Sequence, residues 1–288
     1  MSKNDIDEVS GTETTGHEWD GIRELNTPLP RWWLWTFYGT IVWAIGYTLA
    51  YPAWPLISSA TTGLLGYSSR ADLAQDVASA KAAQGDLLAQ VEARPVAEIL
   101  SDEQLARFAR AGGRSYFKVY CSQCHGTGAE GAPGYPNLND DEWIWGGSID
   151  QIHATIAHGA RSAVDADTRY NLMPNFGTEH LLTAEQIGTV AKQVASFSAI
   201  EGGEASAEGA QLFAENCAAC HGDAGLGNTE LGGPSLADPI WLYGGTIDEV
   251  TRQIGNPRHG VMPAWSDKLG DATVKQLAVY VHSLGGGQ

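Results

Sequence analysis

Basic residues are scarce in this chain. Its 288 residues carry 17 Lys and Arg against 34 Asp and Glu, a formal net charge of −17. Binding a phosphate backbone needs concentrated Lys and Arg, so nucleic acid is excluded as a partner. A chain this acidic suits partners with basic docking faces instead. Cysteine is also rare: all four fall in two short motifs, which leaves none for a structural disulfide. Methionine is rarer still, at three residues including Met1. Apolar mass is not lacking. Hydrophobic residues make up 43% of the chain and charged ones 18%, which is enough for real cores, and the length suggests two or three units.

One further absence is local. No charged residue occurs between Trp32 and Ser69. The first part of that stretch, Trp32 to Ile57, is predominantly apolar and exceeds the roughly 20 residues a spanning helix needs. Trp32, Trp33 and Trp35 at one end, with Tyr47, Tyr51 and Trp54 at the other, are placed like interfacial aromatic belts. Pro52 and Pro55 would end or kink the helix near its exit. A cleaved signal peptide fits poorly, because the preceding segment is net acidic and the run is longer than an h-region. A buried core helix fits neither the length nor the belts. The expectation is a single transmembrane helix at 32–57 after an N-terminal segment at 1–31. Arg23 and Arg31 stand among acids, so basic residues alone say little about orientation.

Residues 58–107 read as a linker containing a short helix, within the Ala- and Gln-rich stretch from Ser68 to Leu100. The remainder is a tandem duplication, with copies at 108–200 and 201–288. Gly113 and Phe117 precede Cys121 as Gly209 and Phe213 precede Cys217. The run Pro136 to Asp140 returns at Pro234 to Asp238, and Trp143 to Asp150 returns at Trp241 to Asp248. Met173-Pro174 returns as Met262-Pro263, and each copy closes on a segment with helical apolar periodicity. Each copy reads as mostly helix. Gly113 and Gly209 are expected to permit close helix approach, with Phe117 and Phe213 packed at the crossings.

Cys-x-x-Cys-His is the attachment motif of haem c. Two thiols three residues apart reach the two vinyl groups on one porphyrin edge, and the following histidine lies under the iron. Cys121, Cys124 and His125 form one copy; Cys217, Cys220 and His221 form the other. A redox dithiol or half a zinc site shares the Cys-x-x-Cys. Neither explains two copies that both end in His inside a duplicated unit, nor the repeated Met-Pro. A lone Met is more often core filler, but Met173 and Met262 recur at equivalent positions beside stiffening prolines and are expected as axial ligands. His/Met coordination raises the potential and leaves no open iron position, which favours electron transfer over peroxide or O₂ chemistry. The motifs leave open whether each Met serves its own copy's haem or the other's.

The neighbouring residues read less sharply. His158 and His259 are alternative ligands or propionate contacts, with a surface loop role the simpler reading. His153, His180 and His282 read as solvated. The carbonyls of Pro136 and Pro234 are placed to accept from the proximal imidazoles. Trp143, Trp145, Trp241 and Tyr243 would either line haem edges or pack in cores. Haem is attached to such motifs outside the bacterial cytoplasm, so both copies are expected in the periplasm and residues 1–31 in the cytoplasm.

With these residues in place, a family resemblance emerges. Each copy is similar to a class I cytochrome c domain, through its Cys-x-x-Cys-His, Pro-x-Leu and Met-Pro landmarks. The approach segment His17 to Trp33, ahead of a span and two such domains, resembles the CcoP/FixP family, the dihaem subunit of cbb3-type cytochrome c oxidases. The resemblance implies a mainly α protein with two haem c groups, held covalently by Cys121, Cys124, Cys217 and Cys220 and axially by His125, Met173, His221 and Met262. It implies a non-catalytic electron-transfer subunit, single-pass in the bacterial inner membrane. Its partners would be a donor cytochrome c, the monohaem and haem–copper catalytic subunits, and membrane lipid. A free-standing membrane shuttle and a dihaem peroxidase are the competing readings.

Overall fold

Two helix crossings organise the haem-motif part of the chain. The structure is a computed structural model describing residues 5–287, so residues 1–4 of the N-terminal segment and residue 288 of the second copy lie outside the described residues. The chain is mainly helical, as expected, and divides into two units, Met1–Ala82 and Ala83–Gln288.

The first unit opens with an antiparallel hairpin, β1 (Thr14–Trp19) and β2 (Ile22–Leu25). Asp20 and Gly21 between them both have positive φ, 50° and 83°, the backbone a two-residue hairpin turn requires. This hairpin is an addition to the sequence expectation, which placed no strand there. Helix α1 (Arg31–Ala50) follows, 20 residues long with none buried. It stops short of the expected Ile57 because Pro52 cannot continue it. No helix among the described residues is long and apolar enough to cross a membrane. Much of the bulk of α1 is Trp and Tyr rather than aliphatic side chains: Trp32, Trp33, Trp35, Tyr38, Trp43 and Tyr47.

Helix α2 (Ser69–Ala93) is longer than the short helix expected, because Ala, Leu and Gln carry high helix propensity along its length. Its last turns bring Leu87 and buried Val91 into the core of the second unit. There α3 (Val96–Ser101) leads to Asp102, whose side chain accepts from Gln104 N and Leu105 N and caps α4 (Glu103–Tyr120). Helices α6 (Ile149–His158), α7 (Ala184–Phe197) and α10 (Ile247–Gly255) each begin with a capping box, Ser148/Gln151, Thr183/Gln186 and Thr246/Glu249. Gly146 and Gly244 sit at positive φ just before two of these boxes. A Cβ there would overlap the Gln151 and Glu249 side chains folding back onto the caps.

The packing bodies are assembled across the two sequence copies. The last helix, α12 (Asp271–His282), crosses α4 and packs on α6, so buried Phe117 meets Tyr280 at 5.3 Å between ring centroids. The second motif helix, α8 (Ala207–Asn216), packs on α7, which precedes it, and Phe213 meets Phe197 edge-to-face at 5.0 Å. Helix α10 completes this second body against α7. Both expected close approaches are present. A Cβ on Gly113 would overlap the Gln276 carbonyl oxygen, and one on Gly209 would stand 3.0 Å from Gln193 Cβ.

These crossings predict opposite signs for two alanine substitutions. Gly113→Ala should cost about 1–3 kcal/mol, because backbone rather than a flexible side chain must yield. Gly188→Ala, in α7 with open space around it, should gain roughly 0.5–1 kcal/mol. Urea unfolding followed by helical circular dichroism measures both, and equal effects would refute the close-crossing account.

Candidate functional site

Each motif helix delivers its cysteines at the point where it ends. Helix α4 runs into Cys121 and the one-turn helix α5 (Ser122–His125); α8 runs into Cys217 and α9 (Ala218–His221). Cys217 is buried, Cys121 and Cys220 are half-buried, and Cys124 is exposed. Burial, and secondarily the neighbouring cysteine, pushes the Cys121 and Cys217 thiols up to about 11.

The two histidines are held identically. His125 Nδ1 lies 2.9 Å from the Pro136 carbonyl oxygen, and His221 Nδ1 lies 2.9 Å from that of Pro234. A carbonyl can only accept, so Nδ1 carries the proton and donates. Nε2 is left with its lone pair, as a metal ligand requires. Burial lowers the pKa of both rings, which favours the neutral imidazole further. The carbonyls arrive through matching loops: Gly131 N donates to His125 O and Gly227 N to His221 O, at 2.7 Å in each case.

A cavity of about 660 Å³ opens beside the second motif, its wall including Cys217, Cys220, His221, Met173, Val190 and Trp241. Trp241 on this wall carries a buried Nε1 donor without a protein partner. The equivalent Trp143 Nε1 donates to the Gly286 carbonyl. The donor set fits a c-type haem. Thiols and a lone-pair imidazole stand on one side of an apolar cavity with a thioether also on its wall, and an anionic propionate would satisfy the orphaned indole.

The remaining sequence candidates divide. Met173 packs among Phe176, Val190, Val194 and Cys217, whereas Met262 packs in the core that holds Phe117, Ile156 and Cys121. His259 lines the cavity, while His158 Nδ1 pairs with Asp165 at 3.1 Å. His153, read as solvated, is half-buried and faces Asp271 at 3.3 Å, because α12 packs over its face of α6. Trp145 is buried with the Arg169 guanidinium 5.7 Å from its ring, and Tyr243 carries Arg258 at 4.7 Å. Sequence reasoning missed Arg161. Its Nε donates to Gly260 O at 2.6 Å and its Nη1 to Asn171 O at 3.4 Å, tying together the two loops that lead to the methionines.

The family comparisons settle what this geometry belongs to. Residues 11–58 match the family described as the N-terminal domain of cytochrome oxidase-cbb3, FixP, and residues 108–192 and 204–281 match cytochrome c oxidase, cbb3-type, subunit III. The chain is 56% identical to the cbb3-type cytochrome c oxidase subunit FixP of Sinorhizobium medicae over 284 residues, 98% of each chain. It is 56% identical to subunit FixPc of Rhizobium leguminosarum bv. viciae over 288 residues, 100% of each. It is 50% identical to subunit CcoP of Cereibacter sphaeroides over 276 residues, 96% of this chain and 95% of that one. The chain belongs to the FixP/CcoP family. A FixP/CcoP chain is the dihaem cytochrome c subunit of a cbb3-type oxidase, so the expected function, electron transfer with haem c as cofactor, stands. The approach segment that suggested the family falls within the first match.

The cavity also carries a pH-dependent feature. Burial, reinforced by Asp238 and Asp141, pushes the Glu142 carboxyl up to about 6. A carboxyl with a raised folded-state pKa costs nothing where both states are protonated. It costs increasingly as pH climbs from about 4.5 to 6, and fully above that. Glu142→Gln should therefore stabilise the protein above pH 6, by less than about 1 kcal/mol given its exposure, and not below pH 4. Thermal melts at pH 4 and pH 7 test this; a gain of equal size at both would count against it.

Proposed function

We propose that Cys121 and Cys124 hold one haem c and Cys217 and Cys220 the other, with His125 and His221 as proximal ligands and Met173 and Met262 as distal ligands. The chain then passes electrons from a donor cytochrome c to the monohaem and haem–copper subunits of its oxidase, without a catalytic site of its own. The matched pair of imidazole-to-proline-carbonyl hydrogen bonds carries this reading: both rings are oriented and held in the tautomer that offers Nε2. Each of the four thiols would hold the group through a thioether, the S–H adding across a vinyl with no leaving group. When bound, haem c supplies reversible one-electron exchange. The protein's part is to fix the imidazoles, keep water from the apolar cavity, and fill the sixth position so that no small molecule competes for it.

Helix α1 is the proposed anchor, a single pass through the bacterial inner membrane in contact with lipid, with the haem domains periplasmic and the N-terminus cytoplasmic. Its 20 residues give a length of about 30 Å, the thickness of a bilayer's hydrocarbon core. None of its residues is buried, and no charge interrupts Trp32 to Ser69. Attachment of haem at these motifs outside the cytoplasm supplies the orientation.

Replacing Cys121 and Cys124 together by Ala should halve the haem c per chain in a pyridine haemochrome assay, and so should the same change at Cys217 and Cys220. A ratio left unchanged would remove the attachment sites from consideration. In mild detergent the chain should co-purify with O₂-reducing activity, and proteolytic cleavage of the mature protein between residues 58 and 68 should release the haem domains into the soluble fraction. Recovery of a lone, stable dihaem protein from native membranes would instead identify a free-standing shuttle.

A further inference from the structure

The first motif helix, α4, carries a row of cations in a chain that is otherwise strongly acidic. Arg107, Arg110, Arg114 and Lys118 are spaced three, four and four residues apart, which gathers them within an arc of about 80° at 3.6 residues per turn. All four are exposed, while Leu105, Ala109, Gly113 and Phe117 of the same helix are buried. The one acid in α4, Glu103, pairs with Arg107 at 3.2 Å. Arg110, Arg114 and Lys118 have no ion-pair partner among the described residues. Elsewhere in this unit cations are engaged: Arg94, Lys192 and Lys275 face Asp102, Glu204 and Asp271, and Arg161 and Arg258 donate to backbone carbonyls. Like charges four residues apart on a helix repel. The row therefore works against the helix that carries it, although the chain has twice as many acids as bases from which to neutralise it.

The duplication supplies an internal comparison. At the equivalent positions, counted back from Cys217, stand Gly203, Ser206, Ala210 and Ala214, and α8 contains no Lys or Arg. The attachment edges differ in the same sense. The row leads from Lys118 through the one-turn helix α5 to Cys124, which is exposed, whereas in the second motif Cys217 is buried and Cys220 half-buried. Lys268 adds a further cation at this end, its ammonium 5.2 Å from the Tyr120 ring centroid.

We infer that the outer face of α4 and the exposed Cys124 edge form a docking surface for the acidic face of a redox protein. One electron passes there between the first-motif haem and the partner's redox centre, and no bond forms or breaks. The inference rests on the haem attachment proposed at Cys121 and Cys124 and goes beyond it, because attachment says nothing about the sign of a partner's charge. That sign is opposite to the one suited to the chain as a whole. Exposed charges are screened beyond about 10 Å at moderate salt, so the local row rather than the distant acids orients a docked partner. Ala111 and Ser115, between the cations, offer no bulky apolar group to insert into a bilayer, which favours a protein over a lipid surface.

The test uses the full-length chain in mild detergent with Cys217 and Cys220 changed to Ala, so that haem c remains on the first motif alone. Its reduced form is mixed in stopped flow with an acidic plastocyanin as one-electron oxidant. The rate constant should fall about tenfold from low to physiological ionic strength, and by a similar factor at low salt when Arg110→Glu, Arg114→Glu and Lys118→Glu are combined. The same charge reversal should leave haem content unchanged and speed the reaction with a basic mitochondrial cytochrome c. A plastocyanin rate indifferent to the charge reversal, or one that climbs with salt in the parent, would overturn the inference. So would a nitroxide on Ser115→Cys immobilised in phosphatidylglycerol nanodiscs but mobile in phosphatidylcholine ones, since lipid would then be the occupant. Loss of haem from the one-haem chain would count against attachment instead, and the charge reversal in the dihaem chain then decides the docking surface by the same two oxidants.

Discussion

The close crossing of each motif helix over a terminal helix is the contact on which everything downstream depends. At Gly113 and Gly209 the missing side chain lets a second helix approach nearly to backbone contact, and one turn later Phe117 and Phe213 fill the angle between them. One further turn brings Cys121 and Cys217 to the helix ends, beside a core rather than in solvent. Close packing tolerates little error, so the crossing fixes where the thiols and imidazoles point. The capped starts of α4 and α8 set the register from the other end, through Asp102 and Ser206.

Around those crossings the two sites share one mechanism of preorganisation. A proline carbonyl takes the imidazole proton, burial keeps the ring neutral, and a glycine-bearing loop returns the carbonyl to the same 2.9 Å distance in both copies. The sites are not identical, however. Trp143 donates its indole N–H to the Gly286 carbonyl, whereas the buried Trp241 Nε1 has no protein partner. Glu142 and Asp140 line the cavity and interact electrostatically with Asp141 and Asp238. Hydrogen bonding, charge and burial are the levers by which a protein sets a haem potential, so these differences give one fold two distinct electron-transfer sites.

The exchange of segments gives the duplication a physical consequence. Independent domains would fold and tune separately. Here each packing body draws its motif helix from one copy and its terminal helix and methionine loop from the other, so neither core is complete until the whole chain has wound through both. Arg161 sits where the two connections pass and holds both loops through backbone oxygens. The two bodies also touch directly, through Gly134 N donating to Leu242 O at 2.7 Å.

Much of this was legible in the sequence. The Cys-x-x-Cys-His motifs, the repeated landmarks and the scarcity of methionine pointed to chemistry because each is a local, covalent requirement readable residue by residue. Gly113, Gly209, Phe117 and Phe213 were legible as crossing residues from their fixed spacing to the motifs. The hairpin at Thr14–Leu25 turns on Asp20-Gly21, a strong local signal, and α2 runs longer than the expected short helix because Ala, Leu and Gln favour helix throughout. His153 was misread because its partner, Asp271, lies 118 positions away. What the sequence could not decide was which terminal helix and which methionine loop pack against which motif helix. The two copies present equivalent residues, Gln193 and Phe197 or Gln276 and Tyr280, to equivalent partners, so pairwise chemistry leaves the two pairings nearly degenerate. Only the path of the connecting loops, a property of the folded chain, selects one.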